Sequence, residues 1–274
     1  MKPLVRISNL LLVSDYDGTM TNLASQIPQR NIEAVKRFIC KGGQFTLATG
    51  RSVYNVRRLR ELLPLYLPVI VLDGACVYDF INERVLYSNV IPDGIKDYIK
   101  DVLCANPHLG AMAISWNGLY DIGNYETTKK HRPQSVGNAI RVPVGELPDK
   151  LYKVGFIGSQ DEIDSFQMYI GDKAPDGTDF IRTDLHFYEM IAAGQNKGEA
   201  LKFLVSKMGM DMKNTLAIGD YHNDTQMLRL AGMSAATGDA PESVKAAADI
   251  VVCRCSDGSV ADFIESIEKK IAKT

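Results

Sequence analysis

Short apolar runs alternate with amphipathic stretches in the first part of the chain. The run LLLVS, residues 10–14, shows no polar alternation, which is typical of a strand buried on both faces. Residues 28–40 then place Ile32, Val35 and Ile39 on one helical face, and the glycine pair at 42–43 ends this predicted helix. A strand in QFTLAT, a helix in SVYNVRRLRELL and a strand in PVIVLDG follow. Strands alternating with helices predict parallel βαβ units.

The same alternation returns in the last third of the chain. Asn196 and Glu199 have the spacing of a capping box, which predicts the start of a helix that ends at Gly209. The segments after it are predicted as the strand TLAIGD, a helix over 223–230, the strand MSAATG, the helix ESVKAAA, the strand DIVVC and a last helix over 259–273. The two stretches therefore predict one parallel α/β domain whose halves meet in space.

The middle of the chain has a different pattern. It combines helix candidates in GIKDYIKDVLCAN and DEIDSFQMYIG with short strand candidates in AMAISW, LYDIG, KLYKVGFIG and DFIRTD. This mixture predicts an α+β domain inserted into the α/β domain. We expect the α/β core to comprise residues 1–90 and 186–274 and the inserted domain to comprise residues 91–185. The linkers at 89–92 and 184–187 are the expected hinges.

Bulk properties narrow the class of protein. A chain of 274 residues favours two domains over one. The net charge of −2 gives no electrostatic reason to expect a nucleic-acid partner, and no apolar run is long enough to span a bilayer. The N-terminal apolar stretch is interpreted as a first strand and not as a signal peptide. The five cysteines have no metal-site spacing and indicate buried thiols in a reducing cytoplasm. We therefore expect a cytoplasmic protein that acts on a small molecule.

Chemically versatile side chains follow the predicted core strands. Open parallel sheets bind ligands at the carboxyl ends of their strands, so these positions are candidates for one site. They are Asp15, Asp17, Gly18 and Thr19 after LLLVS, Thr49, Gly50 and Arg51 after QFTLA, Asp220, Asn223 and Asp224 after TLAIG, and Lys197 at a helix start.

This set suits a metal ion and a phosphate. Asp15, Asp17 and Asp220 offer hard oxygen ligands without histidine or cysteine, which favours Mg²⁺ over Zn²⁺. Thr49, Lys197 and the backbone N–H groups of Gly18 and Thr19 are donors for a phosphate. A carboxylate nucleophile beside them suggests an aspartyl-phosphate route. The chain lacks a P-loop, a nucleophile elbow and a dinucleotide-binding glycine motif.

Four motifs in order resemble those of haloacid dehalogenase-type hydrolases. DYDGTMT resembles the first, Thr49 in TLATGRS the second, Lys197 in AGQNKGEAL the third and GDYHNDTQML the fourth. The resemblance covers residues 10–90 and 185–274. An insert between the second and third motifs is similar to the Cof-like, type IIB capped group. It implies a Rossmann-like parallel-sheet core, an α+β cap domain that sets substrate specificity, and a Mg²⁺-dependent phosphatase of sugar phosphates or other small phosphorylated metabolites.

The resemblance also implies a role for each motif residue. Asp15 attacks phosphorus, and Asp17 protonates the leaving oxygen and then activates water. Phosphate binding is implied for Gly18, Thr49, Gly50, Lys197 and Asn223. The Mg²⁺ ligands implied are the Asp15 and Asp220 carboxylates and the Asp17 backbone carbonyl. Asp224 positions Lys197 or the metal's waters. An aspartate at the second DxD position disfavours dehalogenation.

Several positions are left open by the sequence. Asp73 and Asp239 stand where the group usually has asparagine, and either could change the substrate's preferred charge. Arg51 could reach a substrate or form a structural salt bridge. The basic run of Lys129, Lys130, His131 and Arg132 could contact a second anionic group of the substrate, although a solvated loop is the simpler interpretation.

Two alternatives to a phosphatase also remain. A phosphotransferase or mutase could use the same chemistry with a sugar hydroxyl in place of water. A non-catalytic protein could bind a metal or phospho-ligand and regulate a partner.

Overall fold

The computed structural model describes residues 6–272 apart from 23, 25 and 132–138. Its strands are β1 Leu11–Ser14, β2 Gln44–Leu47, β3 Val69–Val71, β4 Cys76–Asp79, β5 Arg84–Ser88, β6 Gly110–Ser115, β7 Gly118–Asp121, β8 Ile140–Arg141, β9 Leu151–Ile157, β10 Thr178–Asp184, β11 Phe187–Ala192, β12 Thr215–Gly219, β13 Met233–Ala236 and β14 Ile250–Val251. Its α-helices are α1 Gln29–Cys40, α2 Val53–Leu59, α3 Ile95–Ala105, α4 Tyr125–His131, α5 Gln160–Ile170, α6 Lys197–Lys207, α7 Thr225–Leu230, α8 Glu242–Lys245 and α9 Ser259–Ala272.

The chain divides into two compact units. The first comprises residues 1–88 and 196–274, and the second comprises residues 89–195. The first unit is built on a parallel sheet with the strand order β14-β13-β12-β1-β2. A parallel bridge from Ala48 to Ile70 continues it to β3, which starts the antiparallel sheet β3-β4-β5. This confirms the predicted parallel α/β domain.

The central strand β1 is buried on both faces, as its uninterrupted apolar sequence predicts. Leu11 and Val13 pack with residues of α6 and α7, including Leu201 and Met227, in one hydrophobic core. Leu12 points to the opposite face by strand alternation and is also fully buried. Helices α1 and α9 pack against each other, and the Asn31 side chain of α1 accepts a hydrogen bond from the Ala261 amide of α9 at 2.9 Å.

The second unit is an α+β domain with a six-stranded sheet ordered β10-β11-β9-β6-β7-β8. Its neighbouring strands are antiparallel except for the parallel pair of β7 and β8. One face of this sheet carries the unit's hydrophobic core, in which Val154, Phe156 and Met190 meet the buried side chains of α3 and α5. The inserted α+β domain predicted from the middle of the chain is therefore present.

The expected second boundary between the units lies about ten residues too early. We placed residues 186–195 in the core, but they fall in the second unit. The reason is strand β11, which pairs antiparallel with both β9 and β10 of the second sheet. The first boundary lies between residues 88 and 89, close to the expected 90.

Some local elements also differ from the sequence predictions. Helix α2 ends at Leu59, short of the predicted stretch that continues through residue 63. Residues 125–131 form helix α4, so Lys129, Lys130 and His131 of the basic run lie in a helix and not in the expected solvated loop. Residues 222–224 form a 3₁₀ turn before α7. None of the helices in the described residues is long and apolar enough to cross a membrane.

Candidate active site

Strand pairing brings the first and fourth motifs together. Strands β1 and β12 are parallel neighbours with Ser14 opposite Ile218, so the residues that follow each strand emerge side by side. The Asp15 amide donates to the Ile218 carbonyl at 2.9 Å, which fixes the start of the loop after β1. Asp15 and Asp220 thereby share the carboxyl edge of the sheet, as the sequence predicts.

Lys197 joins two of the aspartates. It is the first residue of α6, after an Asn196 N-cap whose side chain accepts from the Glu199 amide. The Lys197 side chain is 1% exposed, and its Nζ lies 2.6 Å from Asp15 Oδ1 and 2.6 Å from Asp224 Oδ1. Burial alone would lower the pKa of this ammonium, but the Asp15 and Asp224 charges outweigh burial and raise the Lys197 pKa.

Three carboxylates form a compact cluster beside this lysine. Asp15, Asp220 and Asp224 each present an oxygen within 4.8 Å of the others'. Burial is the largest cause that raises the pKa of Asp15, and the Asp224 and Asp220 charges add to it against the opposing Lys197 charge. Burial and the Asp224 charge likewise raise the pKa of Asp220 to about 6. A bound divalent cation would relieve this mutual repulsion, so the donor set fits Mg²⁺.

The three aspartates are not equally free to bind a cation. Asp224 accepts from Lys197 with Oδ1 and from the amides of Asp220 and Tyr221 with Oδ2, at 2.9 and 3.2 Å. Asp220 accepts through Oδ1 from the Thr19 hydroxyl at 2.6 Å. Asp15 and Asp220 are therefore the better candidate ligands, and Asp224 is better suited to hold Lys197 and the loop after β12.

Gly18 is required by the close approach of the two loops. Its φ of +81° lies in the left-handed region, and a Cβ atom at this position would collide with the Asp220 carboxylate. The hydroxyl of the neighbouring Thr19 reaches the same carboxylate. The sequence alone predicts only a backbone role for Thr19, and the one local indication of a side-chain role is its hydroxyl two residues after Asp17.

The second motif lies at the end of β2. Thr49 is buried, its amide donates to the Ile70 carbonyl at 2.9 Å, and its hydroxyl accepts from the Arg51 amide at 3.1 Å. These bonds hold the tight Thr49–Gly50–Arg51 turn at the sheet edge. Gly50 has no room for a larger side chain, because a Cβ atom there would lie 2.9 Å from Asp73 Oδ2.

Arg51 forms a two-pronged ion pair with Asp17, which is the salt bridge among its two expected roles, while contact with a substrate stays a prediction. Its Nε lies 2.8 Å from Asp17 Oδ2 and its Nη2 lies 2.7 Å from Asp17 Oδ1. The guanidinium also lies over the Tyr16 ring, 4.4 Å from its centroid. Asp17 remains 53% exposed at its side chain, so the pair orients this carboxylate without hiding it from solvent.

Asn223 and Asp73 form a further pair at this edge. The Asn223 Nδ2 donates to Asp73 Oδ1 at 2.8 Å. Asp73 is buried and follows β3, so it is another polar residue placed after a core strand. From the sequence it stands out only as an aspartate where the group usually has asparagine. The phosphate contact predicted for Asn223 stays a prediction, and its partner here is Asp73.

The remaining candidates have other surroundings. Lys129, Lys130 and His131 occupy the last turn of α4 in the second unit, and Arg132 lies outside the described residues. Asp239 accepts from the Cys255 amide at 2.8 Å and lies 3.7 Å from Arg254 Nε. It is thus held by the loop after β14.

Comparisons with known proteins identify the family of this chain. The family model described as haloacid dehalogenase-like hydrolase matches residues 12–264. The chain is 28% identical to a Bacillus subtilis 5-amino-6-(5-phospho-D-ribitylamino)uracil phosphatase, with 93% of the chain and 94% of that protein covered. It is 25% identical to an Escherichia coli pyridoxal phosphate phosphatase, with 93% and 97% covered.

The fold is also that of a solved relative. A sugar phosphatase of HAD subclass IIB superposes with a TM-score of 0.81 at 23% identity, covering 94% of this chain and 99% of that one. At this identity the likeness concerns the fold, a parallel α/β core with an inserted α+β cap domain. Together with the family match over most of its length, this places the chain in the haloacid dehalogenase-like hydrolase family.

Proposed function

We propose that this hydrolase is a Mg²⁺-dependent phosphatase that acts on a small phosphorylated metabolite through an aspartyl-phosphate intermediate. The observation that carries the proposal is the buried Lys197 ammonium, 2.6 Å from both Asp15 and Asp224 and next to Asp220. A buried cation held beside a carboxylate nucleophile supplies the positive charge that phosphoryl transfer needs. Bound Mg²⁺, with Asp15, Asp220 and the Asp17 carbonyl as its proposed ligands, would neutralise further phosphoryl charge.

The residues of the first unit account for both half-reactions. A carboxylate oxygen of Asp15 forms a bond to phosphorus while the bond from phosphorus to the leaving oxygen breaks, and Asp17 gives that oxygen a proton. Asp17 then takes a proton from water, whose oxygen attacks phosphorus and releases phosphate with a free Asp15. Thr49, Lys197 and the backbone amides after β1 and β2 would hold the phosphoryl oxygens. The ion pair with Arg51 keeps the Asp17 carboxylate oriented for these transfers.

The names of the relatives support a small substrate. One relative acts on pyridoxal phosphate and the other on a phosphorylated ribitylaminouracil. Both are phosphate monoesters of small metabolites, and a sugar phosphate belongs to the same class. We assign the choice among them to the second unit, as the substrate-specificity domain.

A metabolite panel tests the proposed function. Phosphate release should be measured for sugar phosphates, pyridoxal phosphate and p-nitrophenyl phosphate, each with Mg²⁺ and with EDTA. We expect Mg²⁺-stimulated release without any added acceptor, which separates a phosphatase from a phosphotransferase. Metal-independent release, or none from any substrate, would contradict the proposal.

The carboxylate cluster predicts two effects of rising pH. The free energy of unfolding of the metal-free protein should fall, and the apparent affinity for Mg²⁺ should rise. The pKa of Asp220 is raised from 3.8 to about 6 by burial and by Asp224, so the folded metal-free protein keeps a proton that the unfolded chain releases. This contribution to the free energy of unfolding is present below pH 4 and is lost as the pH rises through 6, at a scale of about 2–3 kcal/mol. Mg²⁺ competes with that proton, so its apparent affinity should rise over the same interval.

Denaturant unfolding between pH 4 and 7, in EDTA and in Mg²⁺, measures both effects. Asp220→Asn serves as the reference, because it removes the titration while other groups still titrate. Equal pH slopes for this variant and the parent in EDTA would refute the assignment.

The ion pair of Arg51 with Asp17 predicts a leaving-group effect. In Arg51→Gln the Asp17 carboxylate loses its two-pronged partner, so proton donation should suffer most where the leaving group is a poor one. We expect kcat for an alkyl phosphate to fall about 10–100-fold, the scale of general-acid contributions, and kcat for p-nitrophenyl phosphate to fall much less. Arg57→Gln is the matched control, since Arg57 forms a similar two-pronged pair with Glu83 away from this site. Equal losses on both substrates would argue against an orienting role.

A further inference from the structure

Asp73 occupies a strained turn directly after β3. Leu72 and Asp73 have φ angles of 52° and 53°, in the left-handed region that residues other than glycine rarely adopt. Gly74 follows with a φ of 95°, and a Cβ atom on it would collide with the Asn196 carbonyl. Such strain persists only where surrounding contacts impose it, and it often marks a functional position.

Several contacts that hold this turn involve residues of the proposed phosphate site. The amides of Leu72 and Asp73 donate to the carbonyls of Arg51 and Thr49, each at 3.1 Å. This pairing puts the Asp73 carboxylate against Gly50, where its Oδ2 would lie 2.9 Å from an added Cβ atom. Its Oδ1 accepts from Asn223 at 2.8 Å.

The Asp73 charge also acts on Lys197. It is one of the three carboxylate charges that raise the pKa of the Lys197 ammonium, together with Asp15 and Asp224. The geometry agrees, because Asp73 directly precedes Gly74, where an added Cβ atom would lie 2.9 Å from the Lys197 backbone nitrogen. Three further carboxylates, those of Asp15, Asp220 and Asp224, already cluster beside this buried lysine.

We propose that Asp73 sets the affinity of this site for the phosphoryl group, by orienting Asn223 and by adding a negative charge that weakens the binding of phosphate. This inference rests on the proposed phosphatase function and deepens it. A carboxylate can only accept hydrogen bonds, so it fixes the Asn223 amide with its nitrogen towards Asp73. The same charge repels the phosphate dianion, which speeds release of the product at some cost in substrate affinity.

Asp73→Asn isolates the charge. Asparagine tolerates the left-handed backbone at least as well as aspartate, still offers an acceptor to Asn223, and adds a donor beside Gly50. We expect it to bind inorganic phosphate about tenfold more tightly or better, since one unit charge near a dianion is removed. Isothermal titration with inorganic phosphate in Mg²⁺ measures the Kd. Product inhibition of p-nitrophenyl phosphate hydrolysis measures the Ki, which should fall with the Kd.

Two further variants complete the test. Asp211→Asn removes the same charge at the opposite edge of the sheet, where Asp211 caps the 3₁₀ turn before β12, and should leave the Kd within twofold. Asp73→Ala removes both the charge and the anchor of Asn223. It should bind phosphate more tightly than the parent but less tightly than Asp73→Asn.

The outcomes separate this inference from the proposed function. The role of Asp73 would be overturned if Asp73→Asn bound phosphate with a Kd within twofold of the parent's, or bound it more weakly. It would also be overturned if neither protein bound phosphate. Tighter phosphate binding in a chain that hydrolyses no phosphate ester would retain that role and overturn the phosphatase instead. Thermal unfolding of each variant confirms that the compared proteins are folded.

Discussion

Replacing Asp15 with asparagine should reduce phosphate release by about 10⁴-fold or more, the scale expected when a covalent nucleophile is removed. Asp15 is buried at the end of β1 with Oδ1 bonded to Lys197, and the other carboxylates nearby have different partners. Asp224 is occupied by Lys197 and two amides, and Asp17 is held by Arg51. Asp220 accepts from the Thr19 hydroxyl and is a proposed Mg²⁺ ligand, so we do not expect it to take over the attack on phosphorus.

Steady-state phosphate release with p-nitrophenyl phosphate and the best metabolite measures this loss. Asp79→Asn is the control, because Asp79 is another buried carboxylate of the first unit, bonded to the amides of Ile81 and Asn82. Asp15→Ala should be assayed beside Asp15→Asn, since deamidation of asparagine can restore the aspartate. Turnover above one hundredth of the parent rate in Asp15→Ala would contradict the covalent route.

Replacing Lys197 with methionine should both inactivate and destabilise the protein. Methionine keeps much of the side-chain length, but it leaves the Asp15 and Asp224 carboxylates without the cation that lies 2.6 Å from each. Removing one partner of a buried ion pair typically costs about 3–5 kcal/mol of unfolding free energy, because the remaining charges are desolvated and uncompensated. The pKa of Asp15 should rise further once the Lys197 charge no longer opposes burial.

Lys202→Met is the matched control for this prediction. Lys202 lies on the same helix and pairs with Glu199 at 2.7 Å, but both side chains are about half exposed. Its loss should change the unfolding free energy by no more than about 0.5 kcal/mol, as for most surface ion pairs. Denaturant unfolding in EDTA and activity below the unfolding transition should be compared for the two variants. A Lys197→Met protein as stable as Lys202→Met would show that the buried network does not hold the site together.

Much of the core could be predicted because its signals are local. The uninterrupted run of β1 and the amphipathic pattern of α1 each reflect burial of an element within a few residues. Polar residues after each core strand indicated one sheet edge, since parallel strands end at the same side. The structure brings Asp15, Lys197, Asp220 and Asp224 together there, as expected.

The missed features depend on pairing between distant segments. Strand β11 has the sequence of an ordinary short strand, and its pattern of apolar and polar residues does not indicate that its partners are β9 and β10. The second domain boundary was therefore placed too early. Helix α4 was missed because seven residues, YETTKKH, carry too little periodicity to show a helix, and tertiary packing of the buried Thr128 decides it.

The sequence by itself determined the alternation of elements, the insertion of a second domain, and the acid, hydroxyl and lysine positions after the core strands. Each of these follows from the local spacing of apolar and polar residues. Only the tertiary structure decided that Arg51 holds Asp17, that Asp73 holds Asn223, and that Lys197 lies between Asp15 and Asp224. The partners of the first two pairs are 34 and 150 residues apart, and Lys197 is 182 residues from Asp15. These contacts, and the raised pKa values of Asp15 and Lys197, arise from burial and charge proximity, which exist only once the chain has folded.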